Sequence, residues 1–221
     1  MSWRNYFWGR ASGRRREAFE RVHLTLPGWT ENTPTKELRI WRDADGDVLS
    51  LASSQEPIPH FDGADTAQVR SWCRGLAQSR DAGLIEVHTL NDSFDFIYKR
   101  LDIPAYVYTG MLFVRAKETW LIWTMVAGER GMTGVREAIV TATLISEGKL
   151  KPQEYELHWA HDPYESAYSG VDRSALRSLS DDESYDEQFP LHPLSKVRRT
   201  LAALPSNVEC DSLRTRSGSE R

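Results

Sequence analysis

Phe94-Asp-Phe-Ile-Tyr98, Tyr106-Val-Tyr-Thr-Gly-Met-Leu-Phe-Val114 and Thr119-Trp-Leu-Ile-Trp-Thr-Met-Val126 decide how this sequence reads. Each run is rich in aromatic and β-branched residues, the side chains that suit a pleated, half-buried surface. With Leu84-Ile-Glu-Val-His88 before them, four extended runs follow one another with short connections. Thr133-Gly-Val-Arg-Glu137 then opens a helix over 133–147. Strands in tandem with short links predict an antiparallel sheet with helices packed on it, an α+β fold. Thr119–Val126 is nearly all apolar, which predicts burial on both faces and a central place in the sheet.

His23–Leu26, Glu37–Trp41 and Asp47–Leu51 read as further strands. Arg42-Asp-Ala-Asp-Gly46 joins the last two with an Asp-Gly hairpin signal. The acids Asp43, Asp45 and Asp47 are spaced as in a calcium loop. The glycine stands at the fourth position of that run, not the sixth, and Ser54 occupies the place of the closing Glu, so the turn reading holds. Asp65 caps a helix, with Gln68 three residues on as in a capping box. Its apolar stripe is Val69, Trp72, Cys73, Leu76 and Ala77, and Arg70, Arg74 and Arg80 read as a solvated face. In the second helix Val135, Ala138, Ile139, Ala142 and Ile145 share a side and are expected to face the sheet. Helices on one sheet face leave the other bare, and the chain from Lys149 onward is the candidate to cover it.

That C-terminal stretch is punctuated by Pro152, Asp162-Pro163 and Gly170. It predicts short helices over 172–179 and 181–189. A final helix begins at Pro193, with Leu194, Val197, Leu201 and Leu204 as its stripe, and stops at Pro205. The expected organisation is a basic-aromatic arm over 1–21, a sheet domain over 22–148, a C-terminal wrap over 149–208, and a polar, disordered tail over 209–221.

Composition narrows the function classes. The chain has 221 residues, 40% hydrophobic and 27% charged, which is ordinary for a globular protein. A net charge of -4 argues against general nucleic-acid binding. Charge is uneven: Arg4, Arg10, Arg14, Arg15, Arg16 and Arg21 crowd the N-terminus, while acids concentrate in 154–187, most densely in Asp181-Asp-Glu-Ser-Tyr-Asp-Glu187. Mutual attraction of the two ends is the preferred reading. Cys73 and Cys210 make no disulfide framework. There is no signal-peptide pattern and no run of the ~18 apolar residues that a membrane helix needs. A cytoplasmic protein is expected.

No phosphate-binding loop, nucleophile elbow or Cys-x-x-Cys occurs, so neither a catalytic residue nor a cofactor is expected. Gly128-Glu-Arg-Gly131 and Gly134 read as a tight turn. Around it, Glu129, Arg136 and Glu137 predict a Glu–Arg pair holding the turn, or else a polar pocket beside the sheet. His158-Trp-Ala-His-Asp162 has the only metal-like spacing, with His158, His161 and Asp162 as weak ligand candidates. A protein partner of unknown identity is the expected ligand. Trp3, Phe7 and Trp8 of the arm are candidate contacts, as are Asp181, Asp182, Tyr185, Asp186 and His192 of a segment that either packs Tyr185, Phe189, Leu191 and Leu194 on the body or forms a lid. The arm could instead attach the protein to a membrane surface.

The order of elements over 22–148, and the opening Leu24-Thr-Leu-Pro-Gly-Trp29, resemble the PsbP-like fold. That fold includes photosystem PsbP subunits, a Ran-binding nuclear import factor and bacterial secretion-associated proteins. The resemblance implies a non-enzymatic domain that binds protein partners; the function expected for this chain is a bacterial-type adaptor, effector chaperone or immunity protein. Residues 149–208 have no counterpart in it. The rival class is a hydrolase or metal-dependent enzyme with its site near the C-terminal extension.

Overall fold

A computed structural model describes residues 22–32, 35, 38–54, 58, 65–90, 93–116 and 119–209. The strands are β1 His23–Leu24, β2 Thr30–Glu31, β3 Leu38–Arg42, β4 Val48–Ser54, β5 Gly83–Leu90, β6 Ser93–Asp102, β7 Ala105–Ala116, β8 Thr119–Gly128, β9 Ala160–His161, β10 Arg177–Ser178 and β11 Val208–Glu209. The helices are α1 Thr66–Gln78, α2 Val135–Ser146, α3 Tyr155–His158 and α4 Pro193–Asn207. Seven strands form one antiparallel sheet in the order β2-β3-β4-β8-β7-β6-β5, so the nearly all-apolar β8 is its middle strand. The β3–β4 hairpin turns at Gly46, whose φ of 78° only glycine adopts freely.

Strand alternation divides the core in two. On one face Val69, Cys73 and Ala77 of α1 pack on Leu84, Val87, Phe94, Phe96, Met111, Phe113 and Ile122. Trp72 meets Phe94, Phe96 and Phe113 edge-on at 5.9, 6.3 and 5.6 Å. Asp65 caps α1 by accepting the Ala67 N–H at 2.9 Å. On the other face Leu194, Val197, Leu201 and Leu204 of α4 pack on Leu49, Leu51, Tyr108, Leu112, Trp123 and Met125. Gly110 of β7 permits that approach: a Cβ there would stand 2.5 Å from Val197 Cγ1 and 2.7 Å from Leu201 Cδ1.

Several expectations change. The apolar stripe predicted to hold α2 on the sheet points outward. Val135, Ala138, Ile139, Ala142 and Ile145 are exposed, while Arg136, Val140 and Leu144 are buried. The inward side meets Leu150, Trp159, Leu179, Tyr185 and Phe189, so α2 rests on the C-terminal segment and not on the sheet. The arginines of α1 are not a solvated face either. Arg74 grips Asp162 through two nitrogens at 2.8 and 3.0 Å, and Arg70 lies 4.1 Å over the Tyr164 ring. Pro205 does not end α4, which runs on to Asn207. The segments 172–179 and 181–189 form single 3-10 turns at Arg173–Ala175, Leu179–Asp181 and Glu183–Tyr185, not helices. Glu209, placed in a disordered tail by its sequence, pairs with His23 instead; residues 210–221 and the arm lie outside the described residues.

Candidate functional site

Where β7 begins and β8 ends, polar side chains converge on the α4 face of the sheet. Lys99 enters from β6, Tyr106 and Tyr108 from β7, Glu129 from the exit of β8, Glu137 from α2, Asp181 from a 3-10 turn, and His192 from the approach to α4. Strand alternation explains the sheet's share. Phe94, Phe96 and Tyr98 face α1, so Ile97 and Lys99 face the other way.

Lys99 Nζ lies 2.5 Å from Asp181 Oδ2, with both side chains almost fully buried. Asp181 also accepts from the Ser178 N–H and hydroxyl at 2.7 and 2.9 Å. Burial alone would raise its pKa, but the Lys99 ammonium and the Ser178 donors hold its carboxyl below the usual range. The Tyr108 hydroxyl lies 3.4 Å from both Asp181 Oδ1 and Glu137 Oε1. Arg136, fully buried, donates to the carbonyls of Ser180 and Asp182, the Ser195 hydroxyl and Asp186. Arg198 bridges Glu86 and Asp186. The expected Glu–Arg pair among Glu129, Arg136 and Glu137 is therefore not what holds the turn. The Glu129 side chain accepts the Tyr106 and Gly134 N–H groups there at 3.1 Å each.

Glu129, Glu137 and His192 bring a ligand atom each within 4.8 Å of one another. His192 Nε2 stands 3.6 Å from Glu129 Oε1, beyond hydrogen-bond reach. Burial alone would raise the Glu129 carboxyl, but His192 and the two backbone donors outweigh it and keep it low. Burial pushes Glu137 up. Two neighbouring carboxyls driven apart in acidity are an arrangement that divides acid from base. Burial also pushes Tyr106 up to about 12.

A second acidic group has its cation already. Lys196 reaches Asp43 at 3.1 Å, Asp45 at 2.7 Å and also Asp47, while Arg130 adds a contact to Asp47 at 2.7 Å. The calcium-like spacing is a hairpin turn tied to the first turn of α4 by an ammonium.

The remaining sequence candidates are scattered. His158 ends α3 and His161 lies on β9, so they share no helix, and with Asp162 they do not gather within ligand distance. Asp162 is fully taken up by Arg74 and by the N–H groups of Tyr164 and Glu165. Asp181, offered as a partner contact, is buried. Asp182 caps a 3-10 turn, Tyr185 packs under α2, and Asp186 accepts from Arg136, Ser195 and Arg198. Leu191, expected to pack, is 82% exposed. Trp3, Phe7 and Trp8 lie outside the described residues. Lys99, Tyr106 and Tyr108 are the members that the sequence does not single out. Lys99 carried a signal, a charge at an inward phase of an alternating strand.

No protein-family model matches the chain, and no curated protein matches it significantly. Among solved structures it is similar to the Saccharomyces cerevisiae Ran-binding protein Mog1p, at 10% identity and a TM-score of 0.40, over 59% of this chain and 80% of that one. A point mutant of the protein Mog1 gives 9% identity and a TM-score of 0.39, over 57% and 78%. Likeness at this level carries no argument about partner or activity. No helix among the described residues is long and apolar enough to cross a membrane.

Proposed function

We propose that this is a non-enzymatic protein-binding domain, of adaptor, effector-chaperone or immunity type, that seats its partner on the outward face of α2. One observation carries the reading: an amphipathic helix turned with its apolar stripe to solvent. Val135, Ala138, Ile139, Ala142 and Ile145 recur at helical spacing and all are exposed, and Met132 just before them is 83% exposed. The helix carries two charges, Arg136 and Glu137, and both turn inward. A contiguous, uncharged apolar face on a folded domain is a mark of an interaction site. The alanines at 138 and 142 let another backbone come close, while the β-branched residues beside them supply area, which fits a helix-in-groove or helix-on-helix partner.

The test compares capture from the native host by the parent and by an Ile139→Lys/Ala142→Lys variant. A partner held by the parent and lost by an equally stable variant supports the reading. A partner held equally by both overturns it. The rival hydrolase reading has the divided acidity of Glu129 and Glu137 in its favour. It requires a turnover, found in a substrate panel, that Glu137→Gln abolishes and the α2 variant leaves intact.

A further inference from the structure

We propose that Glu129, Glu137 and His192 form a binding site for one divalent transition-metal cation of the zinc class. The three come from separate elements, and their ligand atoms lie within 4.8 Å of one another. His192 is the observation that points to a ligand: its side chain is only 8% exposed, yet Nε2 has no hydrogen-bond partner among the described residues and lies beside the carboxylates of Glu129 and Glu137. Glu137 Oε2 is buried and equally unpartnered. Buried polar atoms left unmatched are rare in folded proteins, and here two of them belong to residues whose ligand atoms gather within 4.8 Å.

The donor set selects the cation. One imidazole and two carboxylates match a three-ligand zinc-type centre with a free fourth position. Calcium and magnesium want six or more oxygens, and no such cage is present among the described residues. Among the described residues no lysine or arginine forms a salt bridge with the group, in contrast to the Asp43, Asp45 and Asp47 turn, which Lys196 fills. Outer contacts orient the ligands as such centres require. The Tyr106 and Gly134 N–H groups aim Glu129, and the Tyr108 hydroxyl reaches Glu137. One contact opposes binding. The Leu194 N–H points at His192 Nδ1 from 3.3 Å, and a metal at Nε2 would place the ring proton on Nδ1 and release that bond. Binding therefore switches the imidazole tautomer, which makes it observable at His192 itself. The site is independent of the outward face of α2.

The full chain, freed of metal by a chelator, is titrated with zinc chloride by calorimetry, with magnesium chloride as the control. The imidazole nitrogen resonances of His192 are followed in parallel. The expected result is one zinc per chain, no heat from magnesium, a raised Tm, and transfer of the ring proton from Nε2 to Nδ1. Glu137→Gln and His192→Gln lose saturable binding, and His158→Ala keeps it. The proposal is overturned if no zinc binds, if Nε2 keeps its proton at saturating zinc, if binding survives Glu137→Gln, or if it disappears with His158→Ala. The resonance measurement on the parent decides the matter even where a variant folds poorly.

Discussion

Lys99 and Asp181 show how a single pair can be worth little as an addition and much as a loss. Their 2.5 Å contact is buried, so Coulomb attraction is set against the desolvation of both charges. Removing one partner strands the other. Lys99→Met should destabilise by about 3–5 kcal/mol in urea denaturation at neutral pH, and adding Asp181→Leu should recover part of that loss. A double variant no better than the single would show that the pair is not coupled. The carboxyl of Asp181 sits below its ordinary 3.8, so its contribution is present above that value and disappears as pH falls through the folded one. The deficit of Lys99→Met should accordingly shrink in acid. His88 runs the opposite way. Its hydrogen bond to Asp95, 3.0 Å away, raises it from 6.5, so the stabilisation is complete below 6.5 and fades as pH rises through the folded value. Asp95→Asn should bring the His88 titration, followed by NMR, back down. An unmoved curve would mean the pair does not form in solution.

Helices α1, α2 and α4 illustrate two fates of an amphipathic pattern. In α1 and α4 the stripe read from spacing is the stripe that packs on the sheet. In α2 the same kind of stripe is exposed, because Val140, Leu144 and the Arg136 network hold the other side against the 150–189 segment. The closeness of α4 can be tested at Gly110. A methyl group there must displace Val197 and Leu201, so Gly110→Ala should cost about 1–3 kcal/mol, as overpacking does. An unchanged denaturation midpoint would show that α4 sits farther from β7.

For the whole molecule, the two cores lie on opposite faces of one sheet, and residues 193–207 supply the cover of one of them. Truncation after Gly148 removes α4 and bares Leu49, Leu51, Leu112, Trp123 and Met125 together. The fragment should be insoluble or oligomeric, since apolar patches of that kind associate. Truncation after Glu209 keeps the β1–β11 pairing and should behave as the parent in light scattering and thermal unfolding. A monomeric, cooperatively folding 1–148 fragment would instead make the C-terminal segment a separate module.

Sequence alone determined the α+β class, the hairpin at Gly46, the centrality of Thr119–Val126 and the packing stripes of α1 and α4. All of these follow from periodicity, which is a local property: an alternating or helical pattern states which side chains share a face. It does not state what that face meets. The outward turn of α2, the use of Arg70 and Arg74 as internal partners, and the internal roles of Asp181 and Asp186 depend on which distant segments arrive. Glu129, Glu137 and His192 are separated by up to 63 residues in the chain, and no spacing rule joins them. Only the packing of β8, α2 and the approach to α4 around one end of the sheet brings them together, because a shared buried point is a property of tertiary contact and not of sequence order.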